Sequence, residues 1–470
     1  MKKAYFIGIA GKAMGSLAAA LKDYGWEVLG SDKEEVYPPV SDYLQEKKIK
    51  YFKGYSANHL NFKPDLIIVG RSALLSDPKN PEYQKALKLG CQVVSYPEAL
   101  EKLLIKENSV VVAGTYGKST TTALISWILF QAGKNPSFLI GGLPLNFPSG
   151  VNITDSDYSV VEGDETPALK SSDPPKFMFY HPKYLVLTAT TYDHPEFFKN
   201  PKDYQNAFKK LIQLLPENGI LFFDPKFTEK ELVNSTAAKK VSYSTEKQSA
   251  DYFLLDSYYE GNNLKLKIGG KNTLEIETSL IGEYARQNIL RAVAVCSELG
   301  VQEKIINEAV SSFKGLKTHL EFLGEFKQKY FYLDIAQHFS KVEGVLQSLR
   351  EKYPDSRIIA VFDPSATTLK YKKILPYYRQ SFQEAQEVIV RKVRFLSSLS
   401  KDQRISGSEI AKLFSQKGTH VIYEPQDEKV FQRLIEGTQK NDVVVFLSSG
   451  GLEFHSLIEK VIKEMKKKNE

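Results

Sequence analysis

The chain has 470 residues, 42% of them hydrophobic and 25% charged, with 27 Phe, 26 Tyr and a formal net charge of +7. This composition fits a globular protein of about three domains with ample material for large cores, and it excludes a disordered or collagen-like chain. No apolar run approaches the roughly 20 residues needed to cross a bilayer. Cys91 and Cys296 are too far apart for a metal-ligand spacing, so a cytoplasmic location without membrane insertion is expected. The positive charge suits anionic ligands, but lysines and glutamates are interspersed throughout. The one concentrated basic patch, VIKEMKKKNE at the end, reads as a frayed helix rather than a nucleic-acid arm.

The opening MKKAYFIGIAGKAMG imitates a secretory leader, yet Lys12 interrupts the apolar stretch early and no clean cleavage region follows. It reads as strand, glycine turn and helix, continued by the strand WEVLGSD. That order opens a doubly wound sheet. Gly8, Gly11 and Gly15 miss the G-x-G-x-x-G spacing because Ala10 stands at its second glycine, so a plain dehydrogenase is not indicated. Close backbone approach to a diphosphate is expected at this turn, with Asp32 at the end of the second strand placed for a ribose or base hydroxyl. Further alternation in DLIIVGRSALLSDPKNPEYQKALKLG and CQVVSYPEALEKLL closes a first domain, 1–106.

Residues 111–122 read VVAGTYGKSTTT and run into the helical pattern ALISWILFQAG. A strand feeding a glycine turn into a helix N-terminus makes an anion site of backbone N–H groups and helix dipole. Lys118 would reach the outer phosphates of a nucleotide and Ser119 would ligate its Mg²⁺, although Val112 takes the place of the first glycine of the general phosphate-loop pattern. The strands DYSVVEGDE and KYLVLTATTYDHPEFF end in Glu162, Asp164, Glu165, Asp193 and His194. Ligands gather at strand carboxyl ends in open α/β sheets, so these residues are expected near Ser119, where together they resemble a Mg²⁺ site; singly, each is an ordinary surface or turn residue. A polar, irregular stretch is expected over about 225–280, then the helix EYARQNILRAVAVCSELG. After a composition change near KGLKTHLEFLGEFKQ, the strands KYFYLDIA, RIIAVFD, EVIV and DVVVFLSS alternate with helices. The expectation is an α/β chain of three domains: a Rossmann-like 1–106, a central P-loop ATPase-type mixed sheet at 107–315, and a Rossmann-like 316–470.

The N-terminal glycine turn, the GT-x-GKS loop and the third α/β unit together resemble the Mur ligases, ATP-dependent enzymes that join amino acids or peptides to UDP-N-acetylmuramate. The resemblance spans essentially the whole chain. YPPVSDYL at 37–44 and FLIGGLPLNF at 138–147 look most like the branch that attaches a preformed L-alanyl-γ-D-glutamyl-meso-diaminopimelate tripeptide in peptidoglycan recycling, with the L-alanine-adding branch as nearest rival. The resemblance implies ATP and Mg²⁺ as cofactors and small-molecule substrates, with a monomer or weak homodimer. It assigns catalysis to Lys118, Glu162 and His194, and metal binding to Ser119, Glu162 and His194. ATP would contact Gly114, Thr115, Gly117, Lys118, Ser119, Thr120, Asn288 and Asp334. The UDP-sugar would contact Gly8, Ala10, Gly11, Met14, Gly15, Asp32 and Ser72. His338 would serve the acceptor side.

Other boxes depart from the family. Its G-x-H-N-x-x-N reads GEYARQN at 282–288, with Tyr284 and Ala285 for histidine and asparagine, and Ala285 has no amide to bond a base. Two arginines correspond to Thr318 and His319, which removes permanent cations from the phosphate site, with Lys317, Arg286 and His319 the nearest substitutes in sequence. The D-D-[FY]-x-H-H-P box has become LDIAQHFS, with Leu333 and Gln337 at altered positions and Phe339 for proline. Ser365 replaces an arginine, and Thr188 and Ala189 replace an asparagine pair. These losses leave a second reading open: a catalytically silent relative acting as a UDP-muramyl-binding sensor or scaffold.

Overall fold

Three sheets carry the chain, and the strand order of each places its loops. The computed structural model describes all residues except 38–39, 169–172, 193, 195–196, 247, 365–377, 394–404, 416–417, 449–451 and 470. Asp193 and Ser365 therefore lie outside the described residues, as does most of the DPSATT segment.

The first sheet holds β1 (Lys3–Ile7), β2 (Glu27–Asp32), β3 (Lys50–Lys53), β4 (Leu66–Val69) and β5 (Gln92–Ser95), in the order β3-β2-β1-β4-β5. Every neighbouring pair is parallel. The MKKAYFI opening is thus the central strand, and the glycine turn after it lies at the point where the winding reverses, the position at which such sheets take ligands.

The second sheet has ten strands: β6 (Asn108–Ala113), β7 (Ser137–Leu139), β8 (Val151–Asn152), β9 (Tyr158–Gly163), β10 (Tyr184–Leu187), β11 (Ile220–Phe223), β12 (Lys239–Ser244), β13 (Tyr252–Glu260), β14 (Asn263–Gly269) and β15 (Leu274–Thr278). Their order is β15-β14-β13-β12-β11-β10-β6-β9-β7-β8. Because β6 pairs in parallel with both β9 and β10, the loop after β6 emerges between the carboxyl ends of those two strands. Residues 225–280 are not irregular as expected from their polarity. They supply four strands, β12 to β15: NLKLKIG and LEIET alternate with period two, and β13 and β14 meet at a turn at Gly261 (φ 58°).

The third sheet contains β16 (Glu321–Phe326), β17 (Lys329–Asp334), β18 (Ile358–Asp363), β19 (Glu387–Val390), β20 (His420–Tyr423) and β21 (Val443–Ser448), ordered β16-β17-β21-β18-β19-β20. β16 is antiparallel and the other pairings are parallel. Two cores cover its faces, one around Leu346, Phe362 and Phe414, the other around Phe331, Phe446 and Val461.

Two compact bodies result. The first comprises Met1–Tyr258, Lys265–Thr278 and Gln287–Lys314; the second comprises Tyr259–Leu264, Ser279–Arg286 and Gly315–Glu470. Within the first body, apolar residues from both sheets and the helices packed on them, among them Phe6, Leu17, Val111 and Phe208, belong to one core. Among the described residues no helix is long and apolar enough to cross a membrane.

Candidate active site

The apolar run 110–113 is completely buried in β6, and the helix Lys118–Gln131 begins four residues later. Between them the backbone turns through Gly114 (φ 129°) and Gly117 (φ 74°), conformations that side chains rarely adopt. A Cβ on Gly114 would sit 2.4 Å from Thr188 Oγ1, and one on Gly117 would sit 2.5 Å from Asn288 Oδ1. Both glycines are needed for the turn and for the close packing behind it. Thr115 ties the loop down: its N–H donates to Ala189 O (3.0 Å) and its hydroxyl to Thr191 O (2.6 Å). Thr120 follows Ser119 within the first turn of the helix.

Glu162, at the end of β9, meets the loop from one side. Its Oε2 accepts the Gly141 N–H at 2.7 Å, and the Ser119 hydroxyl bonds to the same carboxyl. Burial pushes Glu162 above the usual carboxylate range, although Lys118, Ser119 and the Gly141 amide all favour its charged form. A Cβ on Gly141 would lie 2.6 Å from Glu162 Oε2. The first glycine of the FLIGG segment therefore opens room for this carboxylate, a role that the residue types alone did not reveal.

Lys118 Nζ donates to Gly114 O at 2.5 Å and reaches both oxygens of Glu165 at 3.1 Å. Glu165 is 1% exposed, and its Oε1 lies 3.5 Å from His194 Nε2. Glu165 is thus the shared carboxylate between lysine and histidine. His194 holds a left-handed backbone (φ 57°), a strained conformation for a non-glycine residue. Asp164 points elsewhere: burial would raise it, but Lys176 at 2.6 Å and the Thr166 amide outweigh burial and hold it below the usual range.

A buried brace stands behind the loop. Asn288 Oδ1 accepts from Thr121 Oγ1 (3.1 Å) and from Arg291 Nη1 (2.9 Å). Arg291 Nη2 also donates to Thr188 O (3.3 Å) and Gln287 Oε1 (3.2 Å), and its Nε to Tyr243 OH (3.2 Å). Asn288 thus uses its carbonyl to support the loop. Arg291 lies within the quoted helical segment, but nothing in its spacing marked it as a neighbour of the glycines.

At the N-terminal glycine turn, the Ala10 N–H donates to Asp32 Oδ2 at 2.7 Å, and Gly8 and Ile9 donate to Ser31 O at 2.9 and 3.0 Å. Gly11 caps the helix Lys12–Asp23. Met14 is buried in the core, and Gly15 packs so close to Val40 that a Cβ would meet it at 2.4 Å. Ser72 is exposed on the helix Arg71–Ser76 after β4.

In the second body, Asp334 ends β17 and accepts the amides of Leu320 and Ala336, each at 2.6 Å. Burial pushes its carboxyl up, against the lowering effect of His319. Thr318 and His319 stand beside it where arginines were expected: the Thr318 N–H donates to Glu321 Oε2, and His319 Nδ1 lies 3.0 Å from Lys317 O. Arg286 forms a bidentate pair with Glu351. His338 caps the helix Phe339–Lys352, accepting from the Ser340 N–H.

A Mg²⁺ ion bound beside nucleotide phosphates takes one or two protein oxygens and keeps several waters. The adjoining hydroxyl of Ser119 and carboxylate of Glu162 match that donor set. Among the described residues there is no cluster of three or more His, Cys, Asp or Glu side chains that could hold a metal alone.

Comparison with known proteins agrees along the chain. The Mur ligase family catalytic-domain model matches residues 3–107, the Mur ligase middle domain 112–296, and the Mur ligase glutamate ligase domain 320–450. The UDP-N-acetylmuramate–L-alanyl-γ-D-glutamyl-meso-2,6-diaminoheptandioate ligase of Escherichia coli K12 is 32% identical over 78% of this chain and 79% of its own length. The UDP-N-acetylmuramate–L-alanine ligase of Desulfitobacterium hafniense Y51 is 29% identical over 95% of this chain and 97% of its own. Among solved structures, the UDP-N-acetylmuramate–alanine ligase of Thermotoga maritima shares the fold over the full length of both chains, with a TM-score of 0.77 at 22% identity. With its loop, its strand-end carboxylate and three matching domain models, the chain belongs to the Mur ligase family.

Proposed function

We propose that the protein is an ATP-dependent ligase that joins a peptide amine, that of L-alanyl-γ-D-glutamyl-meso-diaminopimelate, to the carboxylate of UDP-N-acetylmuramate. The carboxylate oxygen attacks the γ-phosphorus and ADP leaves. The peptide amine then adds to the acyl carbon, loses a proton and expels phosphate. Lys118 offsets charge on the transferring phosphoryl group, and the amides of the glycine loop orient it. Ser119 and Glu162 would hold Mg²⁺, with His194 and Glu162 serving a second ion; the metal supplies further charge neutralisation at the phosphates. Gly8, Ala10, Gly11, Met14, Gly15, Asp32 and Ser72 form the proposed UDP-sugar contact, and Thr115, Thr120, Asn288 and Asp334 line or support that for ATP. His338 is assigned to the acceptor side. A cytoplasmic location and a monomeric or weakly dimeric state belong to the same proposal.

The observation that carries it is the meeting of Lys118, Ser119 and Glu162 at the end of the Gly114–Gly117 turn in a chain of this family. The relatives that match most of the chain are named as ligases, so the silent-relative reading is not favoured. L-Alanine as acceptor is the second reading, supported by relatives that carry that name. Purified protein is to be assayed for phosphate release with ATP, Mg²⁺, UDP-N-acetylmuramate and either tripeptide or L-alanine. Turnover with tripeptide is expected, and Lys118→Ala should lower it by about 100-fold or more. Equal rates in wild type and variant would sink the ligase reading; preference for L-alanine would reassign the acceptor.

A further inference from the structure

Arg291 is 2% exposed, and its guanidinium is permanently charged. Buried charges are ordinarily matched by an opposite charge. Here the described hydrogen-bond acceptors are all neutral: the Tyr243 hydroxyl, the Asn288 and Gln287 side-chain carbonyls, and the main-chain carbonyl of Thr188. The guanidinium also lies 5.7 Å from the centre of the Tyr243 ring. Asp224 feels its field, but no described hydrogen bond or ion pair joins the two, and that carboxyl accepts the Lys226 N–H instead. Within hydrogen-bonding reach the positive charge is met by dipoles alone.

Its position gives that charge a use. A Cβ on Gly117 would lie 2.8 Å from Arg291 Nη1, so the guanidinium packs directly against the loop that precedes Lys118. The Thr188 carbonyl that it engages belongs to the residue whose hydroxyl crowds Gly114, and that hydroxyl has no hydrogen-bond partner. In a low-dielectric wall a charge acts over longer distances than it would in water.

We propose that Arg291 is an electrostatic positioning residue for the nucleotide: a cation buried behind the loop that raises affinity in proportion to phosphate charge. The proposal rests on the ATP-dependent reading above. Anionic phosphates on the open side of the loop would supply the counter-charge that the described protein acceptors do not, without touching the guanidinium.

Calorimetric titration of ATP, ADP and AMP, all with Mg²⁺, tests it. Arg291→Gln is expected to weaken ATP on the order of tenfold, ADP less and AMP least, whereas Arg291→Lys stays near wild type. Gln287→Glu leaves Arg291 in place and gives it an anionic partner, so it should reproduce the same graded loss even if Arg291→Gln does not fold. An equal loss for all three nucleotides, or none in either variant, overturns the proposal. Wild type that fails to bind ATP at all overturns the ligase reading and this inference together; wild type that binds while both variants are unaffected overturns this inference alone.

Discussion

Glu162 shows how the site is set against stability. Burial raises its carboxyl above the ordinary range, so the folded state holds the proton more tightly than the unfolded chain does. A raised group stabilises fully at pH below its unfolded value, and that contribution is lost as pH rises through the folded value. At neutral pH the charged carboxylate is therefore a burden that its donors only partly relieve. Glu162→Gln keeps an acceptor for the Gly141 amide and carries no charge. It is expected to melt about 2 °C or more above wild type at pH 7, with the gap closing in acid. Thermal scans across pH check this, and a variant melting below wild type at pH 7 would contradict it. Nucleotide binding should weaken in the same variant. Lys118, Ser119 and Glu162 were legible because strand, glycine turn and strand-end carboxylate are local signals. Glu165 was named only as one acid among several, and its pairing with both Lys118 and His194 needed coordinates, because three separate segments converge there.

At the level of elements, the first sheet carries another buried carboxyl group, and its work is structural. Glu82 is completely buried and accepts from the hydroxyls of Tyr5 (3.1 Å) and Ser31 (2.5 Å), the Ser56 N–H (3.1 Å) and His59 Nδ1 (2.7 Å). It binds β1, the end of β2 and the short helical turn Ala57–Phe62 to its own helix, Pro81–Ala86. Ser31 in turn holds the amides of Gly8 and Ile9 through its carbonyl. Glu82→Ala strands several buried donors at once, so a loss of about 3 kcal/mol is expected in urea denaturation, together with weaker UDP-sugar binding. A loss below about 1 kcal/mol would show that the donors find other partners. The NPE sequence gave no warning of this, since it reads as a helix start: Asn80 caps, Pro81 follows, and Glu82 looks like an ordinary first-turn acid. The strands β13 to β15 were missed for a related reason, because their exposed faces are polar enough to hide the alternation.

Across the two bodies, the Gly114–Ser119 loop and the N-terminal glycine turn lie in one, while Asp334, His319 and His338 lie in the other. A chain ending at Lys314 keeps both glycine turns but loses the partners of Ile281, which belongs to the core of the second body. Such a fragment is expected to bind ADP within about tenfold of the full chain, to release no phosphate, and to melt lower. Calorimetry, the phosphate assay and a thermal scan test this; turnover by the fragment would show that the second body is dispensable. The α/β class and the three-sheet arrangement were readable from alternating strands and helices. The assignment of short segments to bodies was not, because it depends on which residues pack together rather than on where a strand begins.

The hairpin turn at Gly261 bears on how such a protein can be recombined. Tyr259–Leu264, at the joint of β13 and β14, group with the second body, and the Tyr259 hydroxyl accepts the Gly282 N–H at 2.9 Å within it. A chimaera made by exchanging everything from residue 315 onward would therefore import a foreign second body without its native hairpin tip or the 279–286 segment. The second body is not a cassette with one seam, and a successful graft must carry three pieces of sequence together.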